Sequence, residues 1–158
     1  MRFLVQRVKE ADVTVDNQVI GRIGQGFLVF AGISAADVEG PSPEKIADKM
    51  VKKLLGLRIF SDENGKTNLD LKSVGGQLLI ISQFTLYADC RKGNRPSFVN
   101  AAPPDAANRI YEYILKKCRQ EIPTVESGSF GAHMNVSLVN DGPFTVILDS
   151  NELNLQMN

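Results

Sequence analysis

Three polar side chains directly follow a wholly apolar run near the middle of the chain. Leu78–Ile81 is apolar at every position and is opened by Gly75-Gly76, which predicts a strand buried on both faces. Ser82, Gln83 and Thr85 then place two hydroxyls and an amide at the end of that strand. A buried polar group without a partner costs roughly 1–3 kcal/mol. Either these side chains bond to neighbouring backbone, or they face a ligand from a rigid strand end.

Other residue types with catalytic potential are scarce. His133 is the only histidine, and no Gly-x-Ser-x-Gly motif supplies a nucleophile that it could activate. Cys90 and Cys118 lie outside any metal or redox spacing, which argues against a zinc site. The sequence also has no phosphate loop and no dinucleotide fingerprint. We therefore expect neither a metal nor a cofactor.

Two further segments have alternative interpretations. Arg91, Lys92 and Arg95 follow the polar strand end, and they are either a solvated loop or, beside a pocket, contacts to a phosphate backbone. Gly142-Pro143 either turns the chain before an edge strand or forms a cis bond, which X-Pro peptides adopt far more readily than others.

Composition places the chain among ordinary globular domains. Its 158 residues are 43% hydrophobic and 23% charged, with 18 basic and 18 acidic side chains. The net charge of zero argues against a dedicated polyanion binder, which usually carries a basic excess. No apolar run is long enough to span a membrane, and the charged start Met1–Arg7 does not resemble a signal peptide. We expect a cytoplasmic protein with reduced thiols.

The first 33 residues are predicted to form only strands. Phe3–Val8 and Gly26–Ile33 are apolar-rich runs, and Ala11–Asp16 with Val19–Ile23 alternates around a polar turn, which is typical of a hairpin. Ser34–Pro41 follows as a polar loop.

Two amphipathic helices are predicted in the rest of the chain. The first begins at Ser42-Pro43 and ends near Gly56, and the second begins at Pro103–Asp105 and buries Cys118 at the end of its apolar stripe. Between them Leu57–Phe60 is a short strand. After the second helix, four segments complete the chain: the return Pro123–Gly128, a strand over His133–Val139, a tight turn over Asn140–Pro143 and a last strand over Phe144–Leu148. The class is α+β, with about seven or more strands.

Two motifs together resemble those of the D-aminoacyl-tRNA deacylases. The first is Ser82-Gln83-Phe84-Thr85-Leu86 and the second is Asn140-Asp141-Gly142-Pro143-Phe144-Thr145. The resemblance runs from Met1 to about Asp149, so we predict a deacylase domain over residues 1–149 and a polar C-terminal tail over 150–158. Four shorter matches fall in the same order: Gln6-Arg7-Val8, Arg58-Ile59-Phe60, Arg95-Pro96-Ser97-Phe98, and Phe130-Gly131-Ala132 with Met134.

This resemblance implies a fold and an activity. Antiparallel and mixed sheets would form a barrel-like core with two packed helices. The enzyme would hydrolyse the ester joining a D-amino acid to the 3′-terminal adenosine of tRNA, and would also accept glycine mischarged on tRNA-Ala. It would act as a homodimer with its active sites at the subunit interface, as a chiral proofreading enzyme of translation. The family attributes much of the catalysis to the ribose 2′-hydroxyl of the substrate.

The resemblance also implies roles for individual residues. Ser82, Gln83, Phe84 and Thr85 would form the catalytic segment, with the Phe84 and Thr85 backbone N–H groups as candidates for binding the oxyanion. The substrate-binding residues would be Arg7, Phe130, Gly131, Ala132, Met134, Gly142 and Pro143, of which the last two would enter the partner's pocket through a cis bond.

Two alternatives to this interpretation stay open. One is a hydrolase of small esters or amides with Ser82, Thr85 or Cys90 as the nucleophile. The other is a non-catalytic module that binds RNA or DNA on the same fold.

Overall fold

The central strand of the fold is β6, Gln77–Ser82. In the computed structural model, which describes residues 1–155, Leu78 and Ile80 face one apolar cluster and Leu79 and Ile81 face another. All four side chains are fully buried, as predicted for a strand covered on both faces. The strand that carries the polar residues is therefore fixed by packing from two sides.

β6 belongs to a mixed six-stranded sheet that curls into a barrel-like shape. The other five strands of this sheet are β1 Arg2–Val15, β2 Gln18–Ile23, β3 Gly26–Gly32, β7 Val125–Ser127 and β8 Asn135–Asp149. The strand order is β2-β1-β3-β6-β7, and β8 also pairs with β1. The β3–β6 and β6–β7 pairs are parallel, and the remaining pairs are antiparallel. A separate two-stranded ribbon consists of β4 Phe60–Ser61 and β5 Thr67–Leu69.

Two long helices, α2 Pro43–Leu55 and α3 Pro104–Glu121, pack their apolar stripes against one face of the sheet. This confirms the predicted α+β class with two packed helices, and Cys118 lies in the core, where burial raises the pKa of its thiol to about 12. The prediction of a loop over Ser34–Pro41 was wrong, because α1, Ala35–Glu39, forms there. Ser34 and Asp37 cap each other's backbone N–H at the start of this helix. This capping pattern was not recognised in the sequence, because the helix is only five residues long.

The sequence predicted two interruptions between strands that the structure does not contain. β1 is continuous through both segments that were predicted as separate strands, and β8 runs through the predicted turn. Gln6 pairs with Thr145 and Val8 with Asn140, so Asp141–Phe144 bulges out of the ladder while the strand keeps its direction. The predicted return Pro123–Gly128 contains β7, which was also missed.

The ends of β1 and β8 meet in a buried polar cluster. The Met1 amino group donates to Asp37 at 2.5 Å and to the Ser150 hydroxyl at 2.7 Å, and all three groups are shielded from solvent. Beyond β8, Leu153 and Leu155 pack against the main core. The last part of the predicted tail, 156–158, lies outside the described residues. No helix found in residues 1–155 has the length and apolar character to cross a membrane.

A buried hydrogen bond connects α3 to the central strand. The Tyr111 hydroxyl donates to the Ile80 carbonyl at 2.7 Å, and burial raises the pKa of Tyr111 to about 12. We expect Tyr111→Phe to lower the free energy of unfolding by about 1 kcal/mol, because the buried Ile80 carbonyl loses its shorter hydrogen bond and keeps the one from the Gly128 N–H at 3.4 Å. The matched control is Tyr113→Phe, which removes a half-buried bond to Asp48 and should cost less. Equal denaturant midpoints for Tyr111→Phe and the wild type would contradict this expectation.

Candidate active site

A cavity of about 670 Å³ opens where β3 and β6 end. Its floor is apolar, with Ala31 and Ile81 contributed by the two strands. Of the residues predicted for the site, seven line this cavity: Ser82, Gln83, Phe84, Phe130, Gly131, Ala132 and Met134. Tertiary structure thus brings together two segments that lie about fifty residues apart in the sequence.

The segment predicted to be catalytic leaves the strand and turns sharply. Gln83 donates its backbone N–H to the Ala31 carbonyl at 2.8 Å, after which Phe84–Tyr87 forms one 3₁₀ turn. The backbone donors that close this turn are Leu86 and Ala88, which bond to the Gln83 and Thr85 carbonyls. The first N–H groups of a helical turn have no partner inside it, so those of Phe84 and Thr85 are available to a ligand.

The Thr85 side chain is placed differently from its neighbours. Its hydroxyl accepts a hydrogen bond from the Gln83 amide, and Thr85 is not among the residues that line the cavity. Phe84, in contrast, is 53% exposed and contacts the Phe98 ring edge to face. The geometry therefore favours backbone donors and a polar side-chain scaffold over a threonine nucleophile.

The opposite wall of the cavity is the loop between β7 and β8. Phe130 packs on Tyr111 with ring centroids 6.0 Å apart, and Gly131 has a φ of +77°, which favours glycine. Ala132 donates its N–H to the Ser129 carbonyl, which closes the loop into a turn. This wall therefore has a fixed shape and exposes mainly backbone and apolar surface.

Arg7, Gly142 and Pro143 lie elsewhere. Arg7 donates to the carbonyls of Asp141 at 2.8 Å and Ile59 at 2.5 Å, and its guanidinium lies over the Phe144 ring. Asn140 accepts the Phe144 N–H at 2.6 Å and so closes the bulge from the other side. The Gly142-Pro143 bond is cis, as the resemblance implies, and both residues are exposed at the tip.

The Gly142-Pro143 tip does not line the cavity of its own chain. Val136 of β8 lines the cavity, and the regularly paired stretch from Val136 to Asn140 spans roughly 13 Å at about 3.3 Å per residue. The bulge then places Gly142 against Arg7 and Phe144, which are not part of the cavity lining. The site residues predicted from the sequence thus form two separate groups on one chain.

Sequence reasoning missed two residues that position the 3₁₀ turn. Arg2 donates to the Leu86 carbonyl at 2.7 Å and to Asp149 at 2.8 Å. Burial of Asp149 opposes ionisation, but bonds from the Asn151 N–H and Arg2 outweigh it and hold the pKa of Asp149 below its usual 3.8. Gly32 lets the turn approach β3 closely. Arg2 could have been noticed in the sequence, because it is a charged residue inside an apolar N-terminal run.

His133, Cys90 and Arg91 were weaker candidates from the sequence, and their positions in the structure differ. His133 lines the cavity rim and is exposed, and no hydrogen bond joins it to Ser82 in residues 1–155. Cys90 is exposed beside Arg91 in a different, open depression. Arg91 is paired with Asp89, and that pairing lowers the pKa of Asp89 to about 2. Among the described residues no group of three or more His, Cys, Asp or Glu side chains is arranged to hold a metal ion.

A family model described as D-Tyr-tRNA(Tyr) deacylase matches residues 4–149. The chain belongs to this family, a class of hydrolases that act on aminoacyl-tRNA esters. The predicted family, fold class and enzyme class are confirmed.

Three other proteins are similar in sequence to this chain over nearly their whole length. A D-aminoacyl-tRNA deacylase of Clostridioides difficile is 51% identical over 96% of this chain and 99% of its own. Another from Thermotoga petrophila is 51% identical over 97% and 99%. A third from Solidesulfovibrio magneticus is 53% identical over 97% and 98%.

Two solved structures share the fold. The c-Myc DNA Unwinding Element Binding Protein superposes with a TM-score of 0.85 at 38% identity, over 94% of this chain and 98% of that protein. A probable eukaryotic D-amino acid tRNA deacylase superposes with a TM-score of 0.80 at 19% identity, over 93% and 97%, and supports the fold alone.

The close approach of the 3₁₀ turn to β3 gives a test of its importance. A Cβ at Gly32 would lie 3.0 Å from the Leu86 Cβ and 3.2 Å from the Gln83 carbonyl oxygen, so the turn must shift by a few tenths of an ångström. We expect Gly32→Ala to lower kcat for D-tyrosyl-tRNA by about threefold to fivefold, because the turn carries the candidate donors and a misplacement of about 1 Å can cost about a hundredfold.

The matched control for this prediction is Gly24→Ala. Its Cβ would make an ordinary contact at 3.8 Å with the Gln77 side chain, away from the turn. Thermal melts establish that both variants are folded before kcat is compared. A folded Gly32→Ala enzyme with wild-type kcat would mean that the position of the turn does not limit the reaction.

Proposed function

We propose that the cavity is the active site at which this deacylase hydrolyses the ester between a D-amino acid and the 3′-terminal adenosine of tRNA. Family membership supplies the reaction, and the cavity supplies a place for it. The observation that carries the assignment is the 3₁₀ turn at the end of a rigid strand, because its first N–H groups, those of Phe84 and Thr85, have no partner inside the turn. The enzyme would work in the cytoplasm, where charged tRNAs are used.

The reaction needs few protein groups. Water attacks the ester carbonyl carbon, and the resulting oxyanion accepts hydrogen bonds from the Phe84 and Thr85 N–H groups. The ribose 2′-hydroxyl of the substrate orients the water and relays its proton. The bond to the ribose 3′-oxygen then breaks, that oxygen takes the proton, and free amino acid and tRNA leave. Ser82, Gln83 and Thr85 act in this scheme as groups that position the segment.

Phe130, Gly131, Ala132 and Met134 would hold the terminal adenosine. They form the wall opposite the 3₁₀ turn, so the ribose would lie between them and the N–H donors. The wall offers apolar surface and backbone groups, which suit a base that stacks and bonds through its edge.

A second copy of the chain would complete the site. The Gly142-Pro143 tip is exposed, is held by Arg7 and Asn140, and is remote from its own cavity. It lies on β8, whose outward side chains include Val139 and Ile147, 45% and 57% exposed. Apolar residues on a long edge strand are typical of a surface covered by a partner. We infer a homodimer in which each tip enters the partner's cavity.

Such a tip can distinguish enantiomers by exclusion. Backbone atoms of Gly142 and Pro143 would occupy the space into which an L side chain projects, while a D side chain points away. Because the filter excludes one direction and does not recognise a side chain, many D-amino acids would pass. Glycine has no Cβ and cannot be rejected this way, so hydrolysis of glycyl-tRNA remains a prediction of the same geometry.

The two alternative functions differ in their support. A structural neighbour carries a name that describes binding to a DNA element, so a nucleic-acid-binding role on this fold has a specific observation behind it. The small-ester hydrolase has less support, because Thr85 faces its neighbour Gln83 and Cys90 lies in another depression.

The decisive measurement compares D-tyrosyl-tRNA with L-tyrosyl-tRNA at catalytic enzyme concentration and with a chelator present. We expect rapid loss of the D ester and an intact L ester, because only the L side chain meets the tip. Equal cleavage of both would retain the hydrolase and remove the chiral filter. Stable binding of tRNA with neither ester cleaved would favour the binding module.

Mixed dimers test whether two chains share each site. Gly142→Ala damages the tip, since a Cβ there would lie 2.8 Å from the Phe144 nitrogen at a φ of +149°. Ala132→Phe obstructs the cavity. Gly142→Ala homodimers should cleave both D- and L-tyrosyl-tRNA, because the filter is damaged, and Ala132→Phe homodimers should cleave neither. Dimers with one chain of each type, isolated through two different affinity tags, should be active and selective for the D ester, because the open cavity of the Gly142→Ala chain receives the intact tip of its partner. Mixed dimers that cleave both esters would show that each site uses the tip of its own chain.

A further inference from the structure

An exposed aromatic pair forms the rim of the cavity beyond the catalytic turn. The Phe84 and Phe98 ring centroids are 5.1 Å apart in an edge-to-face arrangement. Phe98 is 38% exposed and its neighbour Val99 is 77% exposed, although both line the cavity. An edge-to-face pair leaves other ring faces open, and these faces can stack with a flat ligand.

The loop that leads to Phe98 is anchored at its base. Asp89 and Ser97 exchange two backbone hydrogen bonds of 2.7 and 2.9 Å, so the segment between them projects as a closed loop. Phe98 follows this anchor directly and is held by it. The basic side chains of the loop therefore leave the chain within a few residues of Phe98.

The charges of this loop are not equivalent. Arg91 is paired with Asp89 through two hydrogen bonds of 2.9 and 2.6 Å, which neutralises it locally. Lys92 and Arg95 are exposed, and within residues 1–155 no carboxylate forms an ion pair with either of them. The net charge of the chain is zero, so two unpaired cations in the loop that leads to Phe98 are a local excess of positive charge.

We propose that Phe98 and Val99, together with Lys92 and Arg95, bind the unpaired nucleotides that precede the terminal adenosine of tRNA. A base would stack on Phe98, and the phosphates that follow would approach Lys92 and Arg95. Aromatic side chains beside unpaired cations are the usual means of binding single-stranded nucleic acid. This surface, which we call the rim platform, is continuous with the cavity, as a strand that ends in the active site requires.

The proposal rests on the function proposed above, since it names the part of the tRNA that the same site recognises. It also differs from that function in what it predicts. The cavity alone suffices for the terminal adenosine and its amino acid. The rim platform contributes only when the preceding nucleotides are present.

Two substrates separate the two contributions. D-tyrosyl-tRNA carries the preceding nucleotides, whereas 2′(3′)-O-D-tyrosyl-adenosine has the same ester without them. We expect Phe98→Ala to raise KM for D-tyrosyl-tRNA by about tenfold, near the lower end of the stacking contribution per base. The value of kcat/KM for the adenosine ester should fall at least about fivefold less than that for D-tyrosyl-tRNA, because only the tRNA places a base on Phe98. Phe98→Trp keeps a stacking surface and should restore the wild-type KM, and Val19→Ala on β2 is an exposed apolar control.

The cations are tested by salt dependence. The double variant Lys92→Ala/Arg95→Ala should weaken tRNA binding and flatten the slope of log KM against log salt by about 0.7 for each phosphate that is no longer neutralised. Lys53→Ala on the outer face of α2 is the matched control and should leave that slope unchanged. Arg91→Ala should have a smaller effect than the double variant, because its charge is already paired.

Several outcomes would overturn the rim platform. An equal loss on both substrates would make Phe98 part of the cavity wall, and an unchanged KM on both would make the rim bare surface. A Phe98→Ala chain that elutes as a monomer while the wild type elutes as a dimer would assign this face to the partner subunit. If the wild type cleaves the adenosine ester and D-tyrosyl-tRNA equally well, the rim platform is overturned and the proposed function stands. If it cleaves neither, both are overturned.

Discussion

Burial of β6 on both faces is the constraint on which the rest of the structure depends. Leu78 and Ile80 are covered by the helices, and Leu79 and Ile81 by the opposite cluster, so the strand has one register and cannot shift. Its parallel neighbours β3 and β7 lead the chain to both sides of the same cavity. The 3₁₀ turn is also fixed in place, because the Gln83 N–H bonds to β3 and Arg2 donates to the Leu86 carbonyl.

The catalytic demands on this protein are few. A site that supplies only backbone donors and shape needs no perturbed nucleophile, and the side chains nearest the turn bond to each other. Its selectivity must then come from placement, which a strand end and a closed bulge supply better than flexible side chains. The same reasoning explains why the Gly142-Pro143 tip is held from two sides, by Arg7 and by Asn140.

The site is distributed over surfaces of different character. In the proposed function the cavity would take an adenosine and an amino acid, and the tip of β8 would supply a filter to the partner's cavity. Phe98 adds an aromatic rim, and the loop that leads to it carries exposed cations. A small domain with no net charge can therefore act on a large polyanion, provided that its cations are concentrated where the substrate enters.

Local sequence by itself determined the elements whose signals are local. The apolar run at Leu78–Ile81 and the apolar stripes of α2 and α3 predicted buried elements correctly, because side-chain periodicity decides burial. The motif pair identified the family, because two separated motifs at proper spacing rarely coincide. Only tertiary structure decided that Asp141–Phe144 bulges from a continuous strand, because the register of β8 depends on its pairing with β1. It also decided that the tip lies away from the cavity of its own chain, since the paired stretch of β8 between Val136 and Asn140 separates the two.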